Sequence, residues 1–145
     1  MTEPRHGRKL VLSAVALVPG KVRHSAAAAS EVRELVEAIM VRSAFLDRAP
    51  FSWVGLMLRY GKRNQESPEY DEVDPEDGEL PVAIELDMND LQKASKEDVQ
   101  RHFLGATLRS LIDVGRRFDL PTAALEEAMA AAKRTNVAED SRRNS

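Results

Sequence analysis

Eight acidic side chains crowd into one stretch of this chain: Glu66, Glu69, Asp71, Glu72, Asp74, Glu76, Asp77 and Glu79, with no basic residue between them. Carboxylates at this density can do two kinds of chemistry. They can coordinate a hard cation such as calcium through oxygen, or they can present a negative surface to a basic partner. The run Asp71-Glu-Val-Asp-Pro-Glu-Asp-Gly-Glu79 does not keep the alternating ligand register of a calcium loop, and Pro75 interrupts it. A solvated loop or a docking surface therefore fits it better than a cation site. Of the chain's 24 acids these eight leave 16 elsewhere, against 21 lysines and arginines, so a single segment makes the protein acidic.

The other residue types with chemical potential are poorly placed for catalysis. His6, His24 and His102 stand at no metal-ligand spacing from one another or from a carboxylate. There is no cysteine, which excludes disulfides and thiolate metal sites and fits a reducing compartment. The seven glycines are scattered and form no phosphate-binding loop. No catalytic residue, metal site or cofactor is expected. Arg109, Arg116 and Arg117 alternate with Asp113 and Asp119 and lack aromatic stacking partners, so they read as a solvated helix face and not as a nucleic-acid contact. Trp53 shares a strand face with Phe51, Gly55 and Met57 and is expected to pack. Tyr70, set among the acids, can anchor an interface. The expected partner-binding set is Tyr70, Asp71, Glu72, Asp74, Glu76 and Asp77. The wet face of residues 80–88 and the helix side bearing His102 and Arg109 are the next surfaces to consider.

The elements that must carry these residues follow from hydropathy pattern. The 145 residues are one domain's worth of chain, able to bury a core without staples. Residues 8–18 are apolar at nearly every position and end at Pro19-Gly20, which predicts a strand buried on both faces or nearly so. This run is too short to span a membrane. Residues 25–49 carry Val32, Leu35, Val36, Ile39, Met40 and Leu46 at three- and four-residue steps, a helical stripe stopped by Pro50. Residues 51–60 are rich in bulky apolar side chains and predict a second strand. Residues 61–79 hold Gly61, Pro68, Pro75 and the acids, too little apolar surface to order strongly. Residues 80–88 alternate, with Leu80, Val82, Ile84, Leu86 and Met88 on one face, a half-buried strand.

After a short turn at 89–94, Ser95 caps a helix over 96–118, and Pro121 enforces a break at 119–120. Thr122 then caps a last helix. Residues 1–7 and 136–145 read as polar tails around a single domain at 8–135. The order β-α-β-β-α-α predicts an α+β, two-layer fold, a small, mostly antiparallel three-stranded sheet covered by helices. The second and third strands would form a hairpin around the acidic loop.

The segments Leu80-Pro-Val-Ala-Ile-Glu-Leu-Asp-Met, Asp90-Leu-Gln-Lys-Ala and Leu111-Ile-Asp-Val-Gly-Arg-Arg-Phe-Asp-Leu-Pro resemble bacterial immunity proteins of polymorphic toxin systems, specifically the family numbered 39. The resemblance covers roughly residues 51–130. It implies a cytoplasmic non-enzyme that binds and neutralises a cognate toxin domain; the residues themselves give no expectation of a nucleic-acid or membrane partner. The acidic loop agrees in kind, since it would meet a basic toxin with complementary charge. The alternative is a small acidic secretion chaperone or adaptor that holds a protein segment.

Overall fold

The computed structural model describes residues 7–20 and 22–143, with side chains described as far as Arg134. Eight elements follow in order: β1 (Leu10–Ala16), α1 (Ser25–Arg42), β2 (Trp53–Gly61), β3 (Glu69–Tyr70), β4 (Glu79–Asp87), α2 (Met88–Leu91), α3 (Lys96–Phe118) and α4 (Ala123–Arg143). The expected N-terminal tail falls, Gly7 apart, outside the described residues.

The α+β class and the helix-on-sheet arrangement are as expected, but the sheet is not. It has four strands in the order β1-β2-β4-β3. β1 runs parallel to β2, and β2 runs parallel to β4; only β3 is antiparallel to its neighbour β4. The expected hairpin between β2 and β4 is therefore replaced by a parallel pair with Trp53 opposite Glu79 and Tyr60 opposite Leu86. Adjacent strands favour a hairpin when the turn is short. Residues 62–78 are long enough to return the chain to the starting end of the sheet, which parallel pairing needs.

The crossover is tied down on its way. Gln65 brackets Glu85 of β4, its backbone N–H donating to Glu85 O (2.8 Å) and its side-chain oxygen accepting from Glu85 N (2.9 Å). Asn64 Oδ1 accepts from Asp87 N at 3.0 Å. The chain then lays down β3 along the same edge of β4, where Glu69 opposes Ala83 and Tyr70 opposes Val82.

β1 is an edge strand, not the doubly buried one expected. Leu10 is fully buried, while Val15 is 39% exposed. The strand has a neighbour on one side only, and helices cover only one of its faces. α1 ends at Arg42, short of Pro50, because Ala44 turns into the left-handed region (φ 54) and Phe45 N–H reaches back to Met40 O at 2.9 Å. This closure delivers Phe45 into the core with no exposure. Leu35 lies at the margin of the α1 stripe and is 53% exposed, whereas Val32, Val36, Ile39 and Met40 are buried.

α3 starts as expected, with Ser95 Oγ accepting from Asp98 N at 3.2 Å. It ends at a left-handed Asp119 (φ 57) just before Pro121. Phe103, Leu108 and Leu111 of α3 are fully buried in the single core between the sheet and the helices.

Candidate protein-binding face

In a strand, alternate side chains point to opposite faces. On β2 and β4 one set enters the core under the helices. The other set faces away from them, and the cross-strand register arranges it in rows. Val11 of β1 aligns with Gly55 and Pro81, and the Asp71 N–H that donates to Pro81 O (3.1 Å) places Asp71 at the end of that row. The next row is Ser13, Met57, Ala83 and Glu69, and the one beyond it is Val15, Arg59 and Glu85. Each row begins uncharged on β1 and ends in an acid on the β4–β3 side. Small side chains at Ser13 and Ala83 leave the middle of this face hollow, a groove of about 540 Å³, with the Glu79 side chain lying over Gly55. Trp53 and Glu79 close one end, and Arg59, paired with Glu69 at 3.4 Å, stands at the other.

The acidic segment borders this groove, and its backbone between Asp71 and Glu79 is held by several hydrogen bonds. Asp74 N–H donates to Glu79 O (2.8 Å), Gly78 N–H donates to Asp74 O (2.9 Å), and Ser52 N–H donates to Gly78 O (2.8 Å). Gly78 adopts φ +77, and a Cβ there would meet Ser52 Oγ, so this turn requires glycine. Three acids each accept a backbone N–H within the loop: Asp71 from Glu72 (2.8 Å), Asp74 from Glu76 (2.8 Å) and Asp77 from Glu79 (3.0 Å). Trp53 Nε1 donates to Asp77 O at 3.1 Å, and the indole is only 5% exposed. Within the expected loop, residues 74–78 form a turn seated on a buried tryptophan. Trp53 packs as expected, but it packs on the face away from the main core and anchors the acids.

The expected binding residues thus divide. Asp71, Glu72, Glu76 and Asp77 are exposed, and Asp74 is half-buried in the turn. Tyr70 points the other way, toward the helices. Its hydroxyl donates to Asp113 Oδ2, and the Arg117 guanidinium lies 4.4 Å from its ring centroid. Burial, then the hydrogen bond to and repulsion from Asp113, hold its pKa well above the ordinary phenol value, with Arg117 opposing. Tyr70 therefore clamps β3 to α3. Sequence reading missed this clamp because Tyr70 and Asp113 lie 43 residues apart and share no local pattern.

A second hollow of about 580 Å³ lies between α3 and α4 and includes Arg109, Glu66 and Glu126. Arg109 Nε is buried without a hydrogen-bond partner, and burial lowers the guanidinium's pKa against the attraction of Glu66. Arg116 and Arg117 are exposed as expected, Arg116 pairing with Glu126 at 3.0 Å. Thr122, which donates to Glu126 (2.8 Å), and Arg116 hold the Glu126 carboxyl below its usual range.

Among the described residues, no group of three or more His, Cys, Asp or Glu side chains is arranged to hold a metal ion. No described helix is long and apolar enough to cross a membrane. The described residues thus form a small α+β domain with two hollows, one of them on an open sheet face bordered by acids. The family model described as Immunity protein 39 matches residues 4–131, nearly the whole chain, and the chain belongs to that family. No curated protein and no solved structure matches it.

Proposed function

We propose that this protein is a cytoplasmic immunity protein that binds a cognate bacterial toxin domain and neutralises it by occupation, without catalysis. Membership of the immunity family carries this reading. The acidic segment supports its finer part, a basic toxin drawn in by charge. Four of the loop acids are exposed beside the groove, and a fixed turn presents them in one orientation. Charge held in place accelerates encounter without a large entropic penalty on docking.

The test replaces Asp71, Glu72, Asp74, Glu76 and Asp77 by Asn or Gln. Asn keeps the oxygen that accepts the backbone N–H at Asp71, Asp74 and Asp77, so the turn survives while its charge is lost. Association with the toxin domain encoded beside the gene should slow about tenfold or more at low salt, with the difference shrinking as salt rises. Protection of toxin-expressing cells is scored in parallel. An unchanged association rate would remove the acids from the interface. Failure of the wild-type protein to bind or protect would reject the immunity reading, and enhanced export of the toxin without protection would favour the chaperone alternative.

A further inference from the structure

The groove on the open sheet face has a charge gradient across its width, and that gradient selects an occupant. β1 contributes no charged residue between Leu10 and Ala16. Met57, in the centre, is 36% exposed, and half-buried Val11 lies one row away across from Gly55. Every row that reaches the far side ends in a carboxylate, at Asp71, Glu69 or Glu85. Glu85 is already satisfied by Lys62 N (2.9 Å) and Arg63 (3.4 Å), and Glu69 by Arg59, while at the Trp53 end exposed Asp71 and half-buried Glu79, whose carboxylate lies over Gly55, bring negative charge to the hollow. A hollow with apolar Val11 and Met57 toward β1 and carboxylates toward β3 is complementary to a segment with apolar side chains along one edge and basic ones along the other.

We infer that this groove is where the toxin docks, and that its occupant is a cationic toxin segment. The segment's apolar side chains lie on Val11 and Met57, and its lysines or arginines face Asp71 and the acidic turn. This inference rests on the immunity reading above and adds the docking face and the chemistry of the docked segment. It also separates two roles: the acids set the rate of arrival, and the groove sets the lifetime of the complex.

Two measurements on the full chain with the neighbouring gene's toxin domain test it. In the first, the double variant Val11→Lys, Met57→Lys places two cations in the hollow, on exposed or half-exposed positions outside the main core. The expected result is binding weakened about a hundredfold, chiefly through faster dissociation, with an unchanged thermal melt. Binding within threefold of wild type overturns the proposal. The second needs no variant. Peroxide should oxidise Met57 in the free protein, while Met40 and Met88, at most 3% exposed, resist. Saturating toxin should protect Met57 at least tenfold as read by mass spectrometry, and oxidation at the free rate in the saturated complex overturns the proposal. If the toxin does not bind wild type at all, the immunity reading itself fails. If it binds with Met57 unprotected, only the assignment of this face fails.

Discussion

On β2, Val54, Leu56, Leu58 and Tyr60 point under the helices and are each at most 4% exposed, while Gly55, Met57 and Arg59 on the opposite face are half-buried or exposed. β4 divides in the same way, Leu80, Val82, Ile84 and Leu86 against Glu79, Pro81, Ala83 and Glu85. The two faces share backbone, strand order and register. One is uniformly aliphatic or aromatic and filled by α1 and α3. The other mixes small, apolar and charged side chains around a hollow. A sheet covered on a single side can thus put its stability into one set of alternate residues and leave the other set to vary with a partner.

The largest expected effect contrasts the faces directly. Leu58→Ala and Leu108→Ala remove fully buried side chains and should each cost ~2–5 kcal/mol in urea melts. Met57→Ala on the open face should cost under ~1 kcal/mol. Equal losses at Leu58 and Met57 would mean that the open face is part of the core.

Trp53 is the exception on the open face and sharpens the contrast. Trp53→Phe keeps an aromatic ring but loses the donor to Asp77 O, with an expected loss of ~1 kcal/mol. Amide exchange at Gly78 should accelerate more than exchange in α3. Uniform acceleration across the chain would show that Trp53 supports the whole fold and does not act chiefly on the turn.

Tyr70 joins β3 to the helix side, and its effect should depend on pH. Burial raises the pKa of Tyr70, as of Tyr60, above the ordinary 10.0. The folded chain thus keeps these protons when the unfolded chain releases them. The associated stability is complete below pH 10 and declines as pH rises above it. Tyr70→Phe should flatten that decline above about pH 10. An identical slope in the variant would deny that Tyr70 contributes to it.

The smallest effect is expected from removing five charges of the acidic turn, which should shift stability by less than ~0.5 kcal/mol, because exposed charges contribute little to folding. A larger stabilisation would show that like-charge repulsion in the turn strains the fold.

Much of the helix-covered face was legible in the sequence. The alternation from Leu80 to Met88 placed one side of β4 correctly, Ser95 marked the start of α3, and Pro121 marked the break after it. These signals were readable because each arises within a few residues, from side-chain period, a capping hydroxyl or a missing N–H. The binding face was legible only in part. The acids were found, but the turn that holds them was not, because its anchors, Ser52 and Trp53, lie at the entry to β2 across the crossover. Leu35 and the length of α1 were misread because the stripe shows which side of a helix is apolar, not how much of that side another element covers.

The sequence by itself determined which residues alternate, where helices start and stop, that one segment concentrates the negative charge, and the family resemblance. Tertiary structure decided that β2 and β4 run parallel, that β3 is inserted on the far edge, that Tyr70 turns inward to Asp113, and that the acids border a hollow. The physical reason is that a period of two is the same for parallel and antiparallel neighbours, so the local pattern is silent on strand direction. Direction is settled by where the long connection can find hydrogen-bonding partners. Here Gln65 on Glu85, Tyr70 on Asp113 and Trp53 on Asp77 supply them, across 20, 43 and 24 residues of chain.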